Sequence, residues 1–345
     1  MKDTRYAYAV AHVRALENRM LQRTDYNALL RASSLDEATR FLADKRYGES
    51  DDADAYRFAA RRSGEGPTGQ GRGEYASPEA MLDAELMRTW NAVRAACPKG
   101  APIELLLYQN DFHNLKTVLK TVAGGLAHEG LTLEPNAVAP AEIRRAFVEG
   151  KPEILPERFR EAAVEAHRIL IQEEDGQRAE IVLDKAFFNI MREDAMRTKS
   201  GFLAGWVEMS IAVMDMKTAL RGAYTGKSKA FLRDAMVECG RISVEALADA
   251  AARGVSTVLQ VFTHSGFEEA AAAARESTGA FEKWCDNAIL RYLQPARYRA
   301  FGFEPIVAFW VGKQYELQAV RMLLSRFVSG IGAEALTERL RDSYQ

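Results

Sequence analysis

Long apolar runs are missing from this 345-residue sequence, and cysteine is scarce. No stretch approaches the roughly 20 apolar residues that a membrane-spanning helix needs, and the N-terminal residues hold no apolar core long enough for a signal peptide. The three cysteines, Cys97, Cys239 and Cys285, stand far apart and form no CxxC pair, which favours free thiols in a reducing compartment. We therefore expect a cytoplasmic protein, or one attached peripherally to the cytoplasmic face of a membrane.

A surplus of positive charge is also missing, because 46 basic residues face 48 acidic ones and the net charge is -2. A protein that binds nucleic acid by neutralising phosphates needs a basic domain, so we expect no nucleic-acid partner. The hydrophobic fraction of 48% and the charged fraction of 27% are ordinary for a globular protein. The chain can therefore bury a full core.

Motifs for catalysis or cofactor binding are absent from the sequence as well. The nearest approach to a phosphate-binding loop is GAYTGKS at 222–228, but it has one residue too few before its Gly-Lys pair and it follows a helical pattern. The glycines of 69–73 miss the GxGxxG spacing, the histidines form no HExxH pattern, and no Gly-x-Ser-x-Gly occurs. We predict a helix C-terminal turn at 222–228 and no nucleotide, cofactor, metal or catalytic site.

Apolar residues at helical spacing are abundant. They form stripes that step by three and four residues in segments rich in Ala, Leu, Glu, Arg and Met. Ser34 and Glu37 have the form of a capping box, and Ser77 precedes Pro78 as an N-cap precedes a proline at the first helical position. We therefore predict an all-α fold. Helix is predicted for the apolar runs 103–108 and 181–183, and long helices are predicted at 80–96, 157–199 and 268–298.

One segment cannot be helical. Residues 63–74, SGEGPTGQGRGE, hold five glycines and one proline and have no apolar side chain to bury. We predict a mobile surface loop there.

An internal repeat is indicated by the spacing of three glycines. Gly100, Gly201 and Gly302 are each 101 residues apart, and each stands between two long helical patterns. Lys116 and Lys217 follow the first two glycines at the same distance of 16 residues. Three full units and a half unit follow from this spacing. The predicted domains are 1–100, 101–201, 202–301 and 302–345.

A basic residue recurs at one position of this repeat. Arg14 fits the same slot near the N-terminus, and Arg321, which lies 19 residues after the third glycine, completes the set with Lys116 and Lys217. Either these four side chains line a common central surface that contacts a partner, or they are solvated beside an apolar stripe. The sequence supports both alternatives equally.

Two acidic residues, Asp111 and Asp215, lie near the starts of repeated helices. Favourable placement in the helix or local pairing with a basic side chain explains them better than a functional site does.

Several segments together resemble the C subunit of the V/A-type rotary ATPases, whose eukaryotic relative is called the d subunit. The resemblance runs from the first residues to the last long helix, and the opening and DFHNLK are its most specific parts. The matching segments are YAYAVAHVRALENRML, LLRASSLDEATRFLADKRYG, YQNDFHNLKTVLK, LDKAFFNIM, MDMKTALR and EPIVAFWVGKQYELQAVRMLLS.

The resemblance implies three similar helical domains around a pseudo-threefold axis, arranged as a funnel. It also implies a protein without an active site that sits on the membrane proteolipid ring (c/K/L) and receives the central stalk, formed by the D and F subunits, for ion transport. Residues 63–74 look like an insertion specific to a lineage. The alternative is a helical-repeat scaffold that binds a protein unrelated to rotary ATPases.

Overall fold

The computed structural model describes residues 3–48, 77–126 and 130–344, and every regular element in these residues is a helix. The all-α prediction is therefore confirmed, while the predicted loop at 63–74 lies outside the described residues. None of the described helices is both long and apolar enough to cross a lipid bilayer. The α-helices are α1 Ala7–Glu17, α2 Arg23–Arg31, α3 Leu35–Asp44, α4 Pro78–Ala96, α5 Tyr108–Ala123, α6 Pro140–Val148, α7 Glu157–Gln172, α8 Gly176–Arg197, α9 Gly201–Thr225, α10 Lys229–Ala235, α11 Val244–Arg253, α12 Val255–His264, α13 Glu268–Glu276, α14 Thr278–Leu293, α15 Glu304–Ser329 and α16 Ala333–Arg339.

Short 3₁₀ segments occur as well. They are Thr4–Tyr6, Ile103–Leu106, Pro152–Ile154 and Gln294–Tyr298.

The predicted helix caps are present, with one difference. The Ser77 hydroxyl accepts a hydrogen bond from the Ala80 backbone N–H at 3.2 Å, ahead of Pro78 at the start of α4. Ser34 likewise accepts from the Glu37 backbone N–H at 3.2 Å. The Glu37 carboxylate, however, accepts from the backbone N–H of Ser33 at 2.7 Å rather than from Ser34, so the reciprocal half of the capping box is shifted by one residue.

Two predicted long helices are wrong in length. The helix at 157–199 is broken between α7 and α8, where Glu174 has a φ of 54° and the Asp175 carboxylate caps α8 by accepting from the Arg178 N–H at 2.9 Å. The helix at 268–298 is interrupted at Ser277, whose hydroxyl caps α14, and it ends in 3₁₀ geometry at 294–298, which contains a proline. Local caps and the missing proline N–H outweigh the continuous helical pattern at these points.

The chain folds into two compact units. The first combines Met1–Ala101 with Ser277–Gln345, and the second is Pro102–Glu276. The funnel of three similar domains and the boundaries 1–100, 101–201, 202–301 and 302–345 stay predictions.

Helix α15 is the central helix of the first unit. It packs against α1, α2, α3, α4, α14 and α16. Leu317 and Val320 of α15 lie in a core with Leu29 and Leu42, all of them buried. Because neighbouring helices surround the 26-residue α15, most of its surface is apolar.

The second unit has two long helices, α5 and α9, that each pack against several others. Helix α5 packs on α6, α7 and α8, and the ring of Phe112 lies 5.3 Å from that of Phe159 and 5.6 Å from that of Phe187. Helix α9 packs on α8, α10, α11 and α12. At Gly222 a Cβ would lie 2.4 Å from a methyl carbon of Leu232, so the glycine allows α10 to approach α9 closely.

The three glycines that indicated the repeat do not share one conformation. Gly100 and Gly302 have φ values of 78° and 93°, in the left-handed region that favours glycine. Gly201 is the first residue of α9, and it is Lys199 that has a positive φ, 56°. The segment 222–228 is the helix C-terminal turn that its sequence predicts, with Gly226 at a φ of 63°.

Candidate interaction site

Arg14, the first predicted contact residue, is bound within the first unit. Its guanidinium donates to both carboxylate oxygens of Glu17 at 2.6 and 2.7 Å and to the backbone oxygens of Ala296 and Arg299 at 2.9 and 3.0 Å. Four hydrogen bonds in a fixed fork geometry tie α1 to the segment at 294–299. Arg14 therefore has a structural role in the chain itself.

Arg321 lies in the same unit, on α15, and its side chain is 45% exposed. Its Nε donates to the Glu79 carboxylate at 3.0 Å, and its guanidinium lies 3.9 Å from Asp83. Both acids belong to α4. An exposed pair of this kind leaves Arg321 available for exchange with a partner carboxylate, because such pairs stabilise little.

Lys116 and Lys217 belong to the second unit. The Nζ of Lys116, on α5, lies 2.5 Å from Asp184 of α8, and Lys120 one turn later pairs with Glu180 of the same helix. Lys217 is half-buried on α9. Arg14, Lys116 and Arg321 thus bind different carboxylates, and a common surface that includes all four basic residues stays a prediction.

A stronger sequence-periodic feature lies on the buried side of the long helices. Asn114, Asp215 and Glu316 are each 101 residues apart, and each lies 14 residues after one of the three glycines. All three are buried, at 0%, 1% and 3% exposure. We call them the clamp positions, because each carries a side-chain oxygen that accepts a backbone N–H from a neighbouring segment.

The three acceptors hold similar bonds. Asn114 accepts from the Leu133 N–H at 2.7 Å and donates back to the Leu133 carbonyl at 2.9 Å. Asp215 accepts from the Val237 N–H at 3.0 Å. Glu316 accepts from the Leu21 N–H at 2.6 Å, in the segment that follows α1.

The clamp positions give a register for the repeat that basic residues alone did not. In this register the counterpart of Lys116 and Lys217 in the third repeat is Gln318, which is exposed. Arg321 lies three residues further along the chain and so does not occupy the same position. The signal was present in the sequence as three polar residues at equal spacing within apolar stripes. Sequence reasoning missed it because Asn, Asp and Glu differ in charge and size.

Glu316 also belongs to a buried ion-pair cluster, which comprises Glu85, Arg88, Lys313 and Glu316. The Lys313 Nζ is 2.5 Å from both Glu85 and Glu316, and Arg88 donates to both oxygens of Glu85 at 2.6 and 3.0 Å. Two cations thus balance two carboxylates. Glu85 further accepts from the Gly48 N–H at 2.9 Å, so the cluster also holds the backbone that follows α3.

Burial and charge act in opposite directions on the cluster. Burial opposes the ionisation of Glu85, but Lys313 and Arg88 outweigh it and hold the pKa of Glu85 at about 2. For Glu316, burial prevails and raises the pKa above its ordinary value, although Lys313 opposes that rise. Burial also works against the charge of Lys313, but the two carboxylates raise its pKa. The cluster is therefore stable only as a unit, because each charge depends on its neighbours.

Comparison with known proteins gives the family. A family model described as ATP synthase (C/AC39) subunit matches residues 9–65 and 70–339. The chain belongs to this family. The unmatched residues 66–69 fall inside the glycine-rich segment 63–74. The resemblance to the C subunit of the V/A-type ATPases is confirmed over nearly the whole chain.

A curated relative of this C/AC39-family chain agrees with the family match. It is the C subunit of the V-type sodium ATPase of Enterococcus hirae, which is 20% identical over 270 residues, or 77% of this chain and 82% of the relative.

The clamp positions and the ion-pair cluster of this C/AC39-family protein hold helices and loops together. Within the described residues, no group of three or more His, Cys, Asp or Glu side chains is placed to hold a metal ion. The clamp positions and the ion-pair cluster instead bind backbone N–H groups and opposite charges. This arrangement can make each unit stiff.

Proposed function

We propose that this chain is a non-catalytic component of a V/A-type ATPase or ATP synthase that couples the D–F central stalk to the membrane proteolipid ring. It acts as a peripheral socket on the cytoplasmic face of the membrane. The observation that carries the proposal is the family match over residues 9–65 and 70–339.

The internal structure of the two units supports such a role. Torque transfer needs stiff parts and large contact areas rather than turnover chemistry, and close-packed helices deform little. The clamp positions fix the segments at Leu133, Val237 and Leu21 to long helices through buried hydrogen bonds. Their 101-residue spacing also supports three similar structural repeats as part of the proposal.

Partner binding is the direct test. The purified chain should co-elute with the D–F complex in size-exclusion chromatography, and adding it to detergent-solubilised proteolipid ring should give a second complex. Absence of both complexes would contradict the proposal and favour the unrelated scaffold. ATP hydrolysis by the isolated chain should not exceed a buffer blank.

The basic residues give a sharper version of this test. If Lys116 and Lys217 contact a partner, the double variant Lys116→Glu/Lys217→Glu should weaken D–F or ring binding while the chain still folds. Lys151→Glu is a matched control, because Lys151 is an exposed lysine of the same unit whose ammonium group pairs with Glu149, two residues away. Equal binding by the double variant and the control would remove these lysines from the proposed contact.

A further inference from the structure

The three clamp positions deal with charge in three different ways. Asn114 is a neutral amide, and it uses both its oxygen and its nitrogen on Leu133. Glu316 is a carboxylate with the Lys313 ammonium 2.5 Å away. Asp215 is a carboxyl group that forms no ion pair with any residue the structure describes. Among the three clamp residues, Asp215 is therefore the one that is neither a neutral amide nor paired with a cation.

The surroundings of Asp215 disfavour a negative charge. Its side chain is 1% exposed, and although one oxygen accepts from the Val237 N–H, the other oxygen is buried and has no hydrogen-bond partner among the described residues. An ionised carboxylate that is buried without a partner is very unfavourable, so such a group takes up a proton instead. Geometry alone thus favours a neutral carboxyl group.

The charged groups near Asp215 do not change this conclusion. Glu238, beside the clamped Val237, repels a negative charge at Asp215, whereas Arg192 and Lys185 of α8 attract it. Both cations are already paired with other acids. The pairs are Arg192 with Glu208 at 2.8 Å and Lys185 with Asp234 at 3.1 Å.

The remaining helices that pack on α9 contribute charges that are paired or exposed. Glu245 and Asp249 of α11 pair with Lys229 of α10 at 2.5 and 2.6 Å. Arg233 of α10 pairs with Glu245 at 2.9 Å. On α12, His264 is exposed to solvent.

We propose that Asp215 is a proton-dependent clamp: its protonated carboxyl group holds the segment at Val237 to α9, and loss of the proton weakens that hold. The device lies within the second unit and does not rest on the proposed function. Opening it would loosen the connection between α10 and α11, which runs through Met236–Ser243.

The electrostatic balance agrees with the geometry. Burial raises the pKa of Asp215 to about 7 from an ordinary value of 3.8, although the Val237 N–H opposes that rise. A group whose pKa is raised by folding contributes stability that is complete below its unfolded pKa and is lost as the pH rises through its folded pKa. The Val237 N–H bonds more strongly to a carboxylate, but the cost of burying that charge is larger. An opening that hydrates Asp215 and releases Val237 should therefore become more favourable as the pH rises from about 4 to about 7.

Hydrogen exchange of the Val237 amide in the intact protein tests the proposal. After correction for intrinsic exchange, the rate should rise about tenfold between about pH 6 and pH 8 and then level off. An opening that returns Asp215 to its ordinary pKa of 3.8 becomes about tenfold more favourable for each pH unit up to the folded pKa of about 7, and changes little above it. The Leu203 amide at the start of α9 is an internal control, because its acceptor, the Ser200 hydroxyl, does not titrate in this range. A corrected rate at Val237 that stays constant over this pH range would overturn the proposal.

The variant Asp215→Asn gives a second, independent readout. It keeps the acceptor oxygen but cannot ionise, so its urea midpoint should equal that of the wild type at low pH and exceed it at high pH. Asp184→Asn is the control, since Asp184 is a half-buried aspartate on the adjacent α8 whose carboxylate pairs with Lys116. If Asp215→Asn is destabilised to the same extent at every pH, protonation of Asp215 does not affect stability. If the variant is increasingly destabilised as the pH rises, the ionised carboxylate is the stabilising form. Either result would overturn the proposal. If the variant does not fold, the exchange measurement on the wild type decides.

Discussion

The ring of Tyr344 lies directly over Gly312, so that a Cβ at residue 312 would come within 2.5 Å of the ring carbon Cγ. Gly312 is in the middle of α15, where glycine is an unfavourable residue, and Tyr344 is 3% exposed. The Tyr344 hydroxyl donates to Glu17 at 3.1 Å, and its carbonyl accepts from Arg297 at 3.1 Å. The glycine thus makes room for a C-terminal segment that α1 also contacts.

This contact predicts a change of sign in a double-mutant cycle. Gly312→Ala in the full chain should lower the free energy of unfolding by about 1–3 kcal/mol, because the new methyl group collides with the ring. In a chain that ends at Ser343 the same substitution should stabilise by up to about 1 kcal/mol, because alanine is the better helix former. Urea unfolding of the four proteins measures both values.

Gly201→Ala is the matched control for that cycle. Gly201 is also helical, but a Cβ there would meet nothing within 4 Å. The substitution should not be destabilising in either chain. If Gly312→Ala is destabilising to the same extent in both chains, Tyr344 is not the cause.

The buried cluster around Lys313 predicts a large and pH-dependent effect. Lys313→Met leaves Glu85 and Glu316 buried without their shared ammonium group, which should lower the free energy of unfolding by about 3–5 kcal/mol. Lys116→Met should change it by less than about 1 kcal/mol, because the pair of Lys116 with Asp184 is still partly open to solvent, with side-chain exposures of 26% and 40%. Comparable losses in the two variants at neutral pH would contradict this difference.

Glu85 should make the free energy of unfolding of the wild type fall as the solution becomes acidic. Because folding lowers the pKa of Glu85 from 4.5 to about 2, its contribution is present above pH 4.5 and is lost as the pH falls towards 2. In Lys313→Met this acid-side loss should shrink, since the carboxylate is no longer held ionised by the lysine. Unfolding midpoints measured across this acid range for the two proteins provide the comparison.

The helices and their caps follow from the sequence, but the positions of several breaks do not. Apolar spacing predicted the helix at 80–96, which corresponds to α4, because a helix that packs on its neighbours keeps a continuous apolar pattern. The break at Glu173–Asp175 was missed because acidic residues are equally compatible with a solvated helix face. The bonds of Arg14 were unpredictable for another reason, since its acceptors at Ala296 and Arg299 are 282 and 285 residues away in sequence.

The role of Arg14 can be separated from that of the other basic residues by stability. Arg14→Met removes the hydrogen bonds to two backbone carbonyls and to Glu17, so the free energy of unfolding should fall by about 1–3 kcal/mol. Arg321→Met should change it by less than about 1 kcal/mol, because its pair with Glu79 is exposed. A neutral result for Arg14→Met would return Arg14 to the group of candidate contact residues.

Asn114 offers the reverse of the experiment on Asp215. Asn114→Asp places a carboxyl group in a fully buried position and removes the amide donor to the Leu133 carbonyl. We expect a loss of about 1–3 kcal/mol at high pH that becomes smaller in acid, where protonation restores a neutral side chain with an O–H donor. Asn136→Asp is the control, because Asn136 donates to the same carbonyl at 3.1 Å but is only half-buried. If both variants lose the same amount at every pH, the lost amide donor explains the effect, and burial of the charge does not distinguish position 114.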